Sequence, residues 1–181
     1  MENKKILHLI TGWTITGNLP EYKEIEKLAH IFMDNIHIWK LIVYSMQAKC
    51  DYSFIKICEK DSREIIDIDR KRIADEIMNT YKIGGIKAFL ITHWTYTMPD
   101  TWRFLEKYID KDILENISVV ITWSMFPLNV YWSDAPMNIW ASISSLLNYE
   151  KPLGIKICMH WKNWDVNHIK KDTENLIFEE I

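Results

Sequence analysis

Short apolar runs alternate with longer stretches of helical spacing along this chain, and that alternation predicts its elements. Residues 4–11 read as a first strand, and 20–35 as a helix with Ile25, Leu28, Ala29 and Phe32 on one face. A second strand is expected at 36–44. The stretch 45–68 is ambiguous, because 52–57 fits either an extra strand or a hairpin arm. Asp69 then suits a helix N-cap, with Ile73, Ala74 and Ile77 on one face of a helix ending near Gly84-Gly85. A third strand at 86–91 runs through a polar and aromatic loop into a helix at 99–109, whose apolar positions are Trp102, Phe104, Leu105 and Tyr108. Pro99 heads that helix at no cost, since the first backbone N–H groups lack intrahelical partners anyway. Strand four at 117–122 is followed by a long loop, 123–133, and by a helix from Asp134-Ala135-Pro136 to about Tyr149. Residues 154–160 read as strand five and 165–178 as a closing helix.

Strands and helices in this order imply an α/β protein whose parallel sheet is covered on both faces. No repeat, linker or low-complexity segment interrupts the chain, so one domain over residues 1–181 is expected. Open sheets of this kind take their ligands beyond the carboxyl ends of the strands. The loops after strands one, three and four are therefore the places to look for chemistry.

Composition narrows the classes. Of 181 residues, 48% are apolar and 26% charged, as in ordinary globular proteins, and the net charge of −3 offers no basic field for nucleic acid or an anionic membrane. No apolar stretch reaches the roughly 20 residues that span a bilayer. The start, MENKKILHLIT, passes from charge straight into a strand pattern without a small-residue cleavage site, so a cytoplasmic protein is expected. Cys50, Cys58 and Cys158 are spaced neither as a disulfide framework nor as a CxxC metal site. The nine tryptophans are the anomaly. An indole needs a partner for its N–H, which favours half-buried places at pockets and interfaces; filling a core is the plainer alternative.

Two segments carry a family resemblance. KKILHLITGWTITGNLPEYKEIEKLA is similar to the first strand, phosphate loop and first helix of flavodoxins, with Thr14-Ile15-Thr16-Gly17-Asn18-Leu19 at the loop. THWTYTMPDTWRFLEKYID resembles the flavin-contacting segment of flavodoxin-like NAD(P)H-dependent FMN reductases, with Tyr96, Pro99, Trp102-Arg103, Phe104-Leu105 and Glu106 in the matching places. The resemblance implies a flavodoxin-like three-layer sandwich, its five-stranded parallel sheet in the order 2-1-3-4-5 with helices on both faces. It also implies an oxidoreductase that passes electrons from NAD(P)H through bound FMN to a small quinone-like or other acceptor. Two alternatives stay open beside it: a flavodoxin-type electron carrier, and a cofactor-free partner protein on the same fold whose pocket is filled by tryptophans.

The implied flavin-binding residues come from three loops. Thr11, Trp13, Thr14, Thr16, Gly17 and Asn18 form the first, where hydroxyls and amide N–H groups at a helix N-terminus favour an anion. Thr92, His93, Trp94, Thr95 and Tyr96 would lie along the ring, and Trp123, Ser124 and Met125 would cover its other side. The first loop also reads as an ordinary threonine-capped turn, and His93 as a core histidine. Leu19 stands where relatives carry a hydroxyl, and the third loop lacks glycine. No side-chain nucleophile is implied, and no G-x-S-x-G elbow occurs. Reductases of this type commonly pair as homodimers, for which the helix at 99–109 and the 132–140 region are the candidate contact.

Overall fold

The computed structural model describes residues 4–11, 50–125, 133–172 and 177–180. Eight strands are described: β1 (Lys4–Ile10), β2 (Cys50–Lys56), β3 (Ala88–Thr92), β4 (Ser118–Thr122), β5 (Gly154–Met159), β6 (Lys162–Trp164), β7 (Ile169–Asp172) and β8 (Ile177–Glu180). The described helices are α1 (Asp67–Gly84), α2 (Met98–Tyr108), the single turn α3 (Lys111–Leu114) and α4 (Ala135–Asn148).

Every residue of β3 and β4 is buried, which is why AFLIT and SVVIT read as unbroken runs instead of alternating ones. They form the middle of a six-stranded sheet ordered β2-β1-β3-β4-β5-β6. All neighbours through β5 are parallel, and β6 joins β5 antiparallel. At the outer edge β2 alternates in exposure, as a strand covered on one face does. Helix α4 packs on β3, β4 and β5, and α1 packs on α2. The buried stripe of α2, Met98, Thr101, Trp102 and Leu105, follows the helical period, and the Trp102 indole donates to Ile155 O at 2.9 Å.

The helix ends have identifiable chemistry. Asp69 accepts the Ile66 N–H at 3.1 Å and binds Lys60 Nζ at 2.7 Å, tying the start of α1 to the segment after β2. The helix stops at Gly85, which adopts φ +62° and donates to Tyr81 O. That left-handed cap is cheap only for glycine.

The expected flavodoxin-like sheet of five parallel strands is not what the chain builds: the sheet has six strands and is mixed. The segment that fitted either an extra strand or a hairpin arm is β2, paired parallel to β1. The second strand expected at 36–44 lies outside the described residues. The closing helix is absent. Val166 and Ile169 are buried three residues apart, a spacing that imitates a helix, yet a 3₁₀ turn at Val166–His168 meets it and the chain continues as the antiparallel pair β7–β8. The extra strand β6 arises from a two-residue turn in which His160 and Trp161 both take positive φ, 52° and 64°. This twist suits a hairpin but is normally given to Asn-Gly, so no turn signal marks it in the sequence. Among the described residues no helix is long and apolar enough to cross a membrane.

Two substitutions check these backbone readings. Gly85→Ala should lower stability by roughly 1 kcal/mol, about 2–4 °C in a thermal melt. Trp161→Gly should raise it by roughly 0.5–1 kcal/mol, because the indole is largely exposed and its backbone strain is removed.

Candidate functional site

Register decides where the loops leave the sheet. Lys56 pairs with Ile10, Ile10 with Thr92, Thr92 with Thr122, and Thr122 with Cys158, so strands β2, β1, β3, β4 and β5 end in one row. Hydroxyls and amides stitch that row together. Thr11 donates both its N–H (3.3 Å) and its hydroxyl (2.7 Å) to Thr92 O. The His93 N–H reaches Thr122 O at 3.0 Å, and the Thr122 hydroxyl reaches Cys158 O at 2.8 Å. Beyond the row, the loop after β3 carries Trp94, Thr95, Tyr96 and Thr97 into α2, and Thr97 donates to Ser62 O at 2.7 Å.

Below the loops lie two fully buried histidines. In β1, His8 bonds Tyr52 Oη through Nδ1 (2.7 Å) and Thr92 Oγ1 through Nε2 (3.0 Å). At the end of β3, His93 bonds Trp94 O through Nδ1 (2.8 Å) and Thr101 Oγ1 through Nε2 (2.7 Å). Burial drives His8 down to about 3 and His93 down to about 4; the bond to Trp94 O opposes the second shift and the Arg70 charge adds to it. Both rings are therefore neutral at physiological pH. Burial also pushes the Tyr52 phenol up and the Cys58 thiol up to about 11, so Cys58 is no thiolate nucleophile.

On the far side of the row, Asn138 projects from the buried stripe of α4 and donates to Trp123 O at 2.8 Å and to Asp134 Oδ2 at 2.8 Å. Its carbonyl oxygen accepts the His160 N–H at 3.0 Å, which holds the strained turn after β5. Asp134 in turn accepts the Met125 N–H at 2.8 Å. Between the loops, the Trp94 and Trp123 rings lie 5.3 Å apart, tilted by 37°. Tyr96 faces outward, with the Arg63 guanidinium 5.4 Å from its ring.

Among the described residues, three buried side-chain polar atoms have no hydrogen-bond partner: Ser62 Oγ, Trp94 Nε1 and Ser124 Oγ. All three belong to the loops beyond the carboxyl ends of β2, β3 and β4. Such atoms are rare in native proteins and costly, about 1–3 kcal/mol each, and their collection at one sheet edge makes that edge the candidate site. Two open depressions lie elsewhere, at the amino ends of the strands: about 600 Å³ around Trp102, Leu114 and Leu153, and about 430 Å³ around Lys4, Lys87 and Tyr149. Neither contains an unpartnered buried polar atom.

Of the residues expected from the sequence, Thr11, Thr92, His93, Trp94, Thr95, Tyr96, Trp123, Ser124 and Met125 do gather at this edge. Trp13, Thr14, Thr16, Gly17 and Asn18 lie outside the described residues. Ser62, Arg70, Thr101 and Asn138 were missed. Thr101 and Asn138 had a legible signal, a polar residue on an otherwise apolar helix stripe; Ser62 lies in the stretch whose pattern was ambiguous. Among the described residues no cluster of His, Cys, Asp or Glu is arranged to hold a metal.

Residues 5–176 match the family model described as asparaginase, N-terminal, and the chain belongs to that family. The fold agrees. The probable cytoplasmic L-asparaginase of Campylobacter jejuni superimposes with a TM-score of 0.71 at 23% identity, covering 93% of this chain and 48% of that one. L-asparaginase I of Vibrio cholerae gives 0.71 at 19% identity, covering 99% and 52%. The chain thus spans about half the length of these structures. No curated protein matches it.

The family match overturns the flavodoxin-like reductase reading, and with it FMN, NAD(P)H, the quinone-like acceptor, the carrier and the cofactor-free flavodoxin-fold partner. The reason is physical. A strand, a hydroxyl-bearing loop and a helix N-terminus make the same local pattern whether they serve a flavin phosphate or another polar ligand. Here His93, expected along a flavin ring, is sealed beneath the loop, and Trp94 and Trp123 pack on each other.

The buried histidines generate an acid-stability prediction. Their folded values lie below the unfolded 6.5, so the stability they contribute is complete above pH 6.5. It is lost as pH falls toward 4 and 3. Between pH 6.5 and 5 each ring should cost about 2 kcal/mol. Urea midpoints should therefore drop clearly from pH 7.5 to pH 5; equal midpoints would contradict neutral burial of both rings.

Proposed function

We propose that this chain is an L-asparaginase-type amidohydrolase, which releases ammonia from the side-chain carboxamide of L-asparagine. The match to the asparaginase N-terminal family over residues 5–176 is the observation that carries this reading. The three unpartnered polar atoms at the sheet edge support its location. A cytoplasmic site of action is part of the proposal, in line with the probable cytoplasmic L-asparaginase of Campylobacter jejuni that shares this fold.

Amide hydrolysis needs a nucleophile at the carbonyl carbon, donors for the oxyanion and a proton for the leaving nitrogen. We place the Thr95 hydroxyl at the reacting carbon, because Thr95 lies in the turn from the central strand β3 into α2. Its oxygen forms a bond to the carboxamide carbon, the hydroxyl proton passes to the amide nitrogen, and the C–N bond breaks to release ammonia. Water then cleaves the resulting ester, releasing the acid and restoring the hydroxyl. The free N–H groups of the first turn of α2 favour the negative charge that develops nearby. Ser62 and Ser124, whose oxygens have no partner among the described residues, are proposed to contact the substrate's polar groups.

The full chain should release ammonia from L-asparagine, measured by a coupled assay. Thr95→Val should lower kcat at least about a hundredfold while leaving the melting temperature nearly unchanged. A protein that releases no ammonia from L-asparagine or L-glutamine would contradict the reading. Full activity in Thr95→Val would instead remove Thr95 from its role.

A further inference from the structure

A chain of hydrogen bonds runs from the surface of α1 to the peptide bond that precedes Thr95. Asp67 Oδ1 accepts from Arg70 Nη1 at 2.7 Å. Arg70 Nε donates to Thr101 Oγ1 at 3.2 Å. Thr101 Oγ1 lies 2.7 Å from His93 Nε2, and His93 Nδ1 lies 2.8 Å from Trp94 O. Each proton in the chain has only one place to be. A carbonyl oxygen accepts and never donates, so His93 Nδ1 carries the hydrogen. A neutral imidazole has a single N–H, so Nε2 is bare and must accept from the Thr101 hydroxyl. That hydroxyl, having given away its proton, has an oxygen free to accept from Arg70, which can only donate.

The chain therefore points one way, from guanidinium to carbonyl. It also crosses three elements, since Arg70 is on α1, Thr101 on α2 and His93 at the end of β3. His93 and Thr101 are fully buried and Arg70 nearly so, so water does not compete for these bonds. The last acceptor is the informative one. The Trp94 carbonyl shares a rigid plane with the Thr95 N–H, so fixing that oxygen fixes the direction in which the chain enters Thr95.

We propose that Arg70, Thr101 and His93 are positioning residues, which set the Trp94–Thr95 peptide plane and thereby aim the Thr95 hydroxyl at the substrate carbonyl. The proposal rests on the role given to Thr95 above. None of the three touches substrate; each acts through the next. Misplacing a reacting group by a fraction of an ångström costs turnover much more than affinity, so the relay's signature is a loss in kcat at nearly constant KM.

The test uses the full chain with Thr101→Val, which keeps the shape but removes donor and acceptor, and Thr101→Ser, which restores the hydroxyl. Steady-state kinetics are read beside two NMR signals, the ring nitrogens of His93 and the methyl group of Thr95. The expected result for Thr101→Val is a 10- to 100-fold lower kcat with KM within about threefold. It should come with a changed His93 tautomer signature and a displaced Thr95 methyl resonance. Thr101→Ser should return all of these to within about threefold of the parent. A Thr101→Val protein that is folded, has an altered His93 signal and turns over normally would overturn the proposal. If the parent protein hydrolyses no amide, the role of Thr95 fails on its own account. The relay is then judged by the Thr95 methyl: displaced by Val and restored by Ser, it stands as the device that sets the turn; unmoved, it falls.

Discussion

The register of β3 between β1 and β4 is the constraint from which the rest follows. Thr92 is opposite Ile10 on one side and Thr122 on the other, and the bonds from Thr11 to Thr92 O and from His93 to Thr122 O fix that level. A slip of one residue would turn every side chain of β3 to the opposite face. The loops would then leave at different heights. Because they leave together, the turn into α2, the loop after β4 and the segment after β2 face one another across a single edge.

Polar groups inside this edge divide into two kinds. Those of Thr11, Thr97, Thr122 and Asn138 are spent on backbone carbonyls and carry the architecture. Ser62, Trp94 and Ser124 present buried polar atoms without a hydrogen-bond partner among the described residues. Burial of a donor without a partner is destabilising, so the second group costs stability where the first adds to it. The two buried histidines have partners on both ring nitrogens: His8 bonds Tyr52 and Thr92, and His93 bonds Thr101 and the Trp94 carbonyl. Both rings are neutral within the hydrogen-bonded core, and the cost of burying them appears in acid.

Much of the order of elements was legible in the sequence. The runs that became β3 and β4, the helix begun at Pro99 and the helix begun at Pro136 depend on local patterns that burial on both faces makes unmistakable. What misled is equally local. Val166 and Ile169 carry a helical spacing that a 3₁₀ turn satisfies, and the His160-Trp161 turn has no residue that advertises positive φ. The gathering of nine expected site residues at one edge followed from strand placement. Their chemistry did not, because a polar loop leading to a helix N-terminus has the same appearance for a phosphate as for any other polar ligand. Arg70 and Thr101 were invisible for another reason: their meaning comes from contacts between α1, α2 and β3 that no local pattern encodes.

The contact between Trp94 and Trp123 has an optical side. Two indoles whose centres lie 5.3 Å apart and whose planes are tilted by 37° couple their excited states, and a coupled pair gives a paired positive and negative band in circular dichroism that isolated indoles lack. One ring belongs to the loop after β3 and the other to the loop after β4. Any movement that separates those loops breaks the coupling. This edge of the sheet thus carries its own built-in spectroscopic ruler, with no label attached.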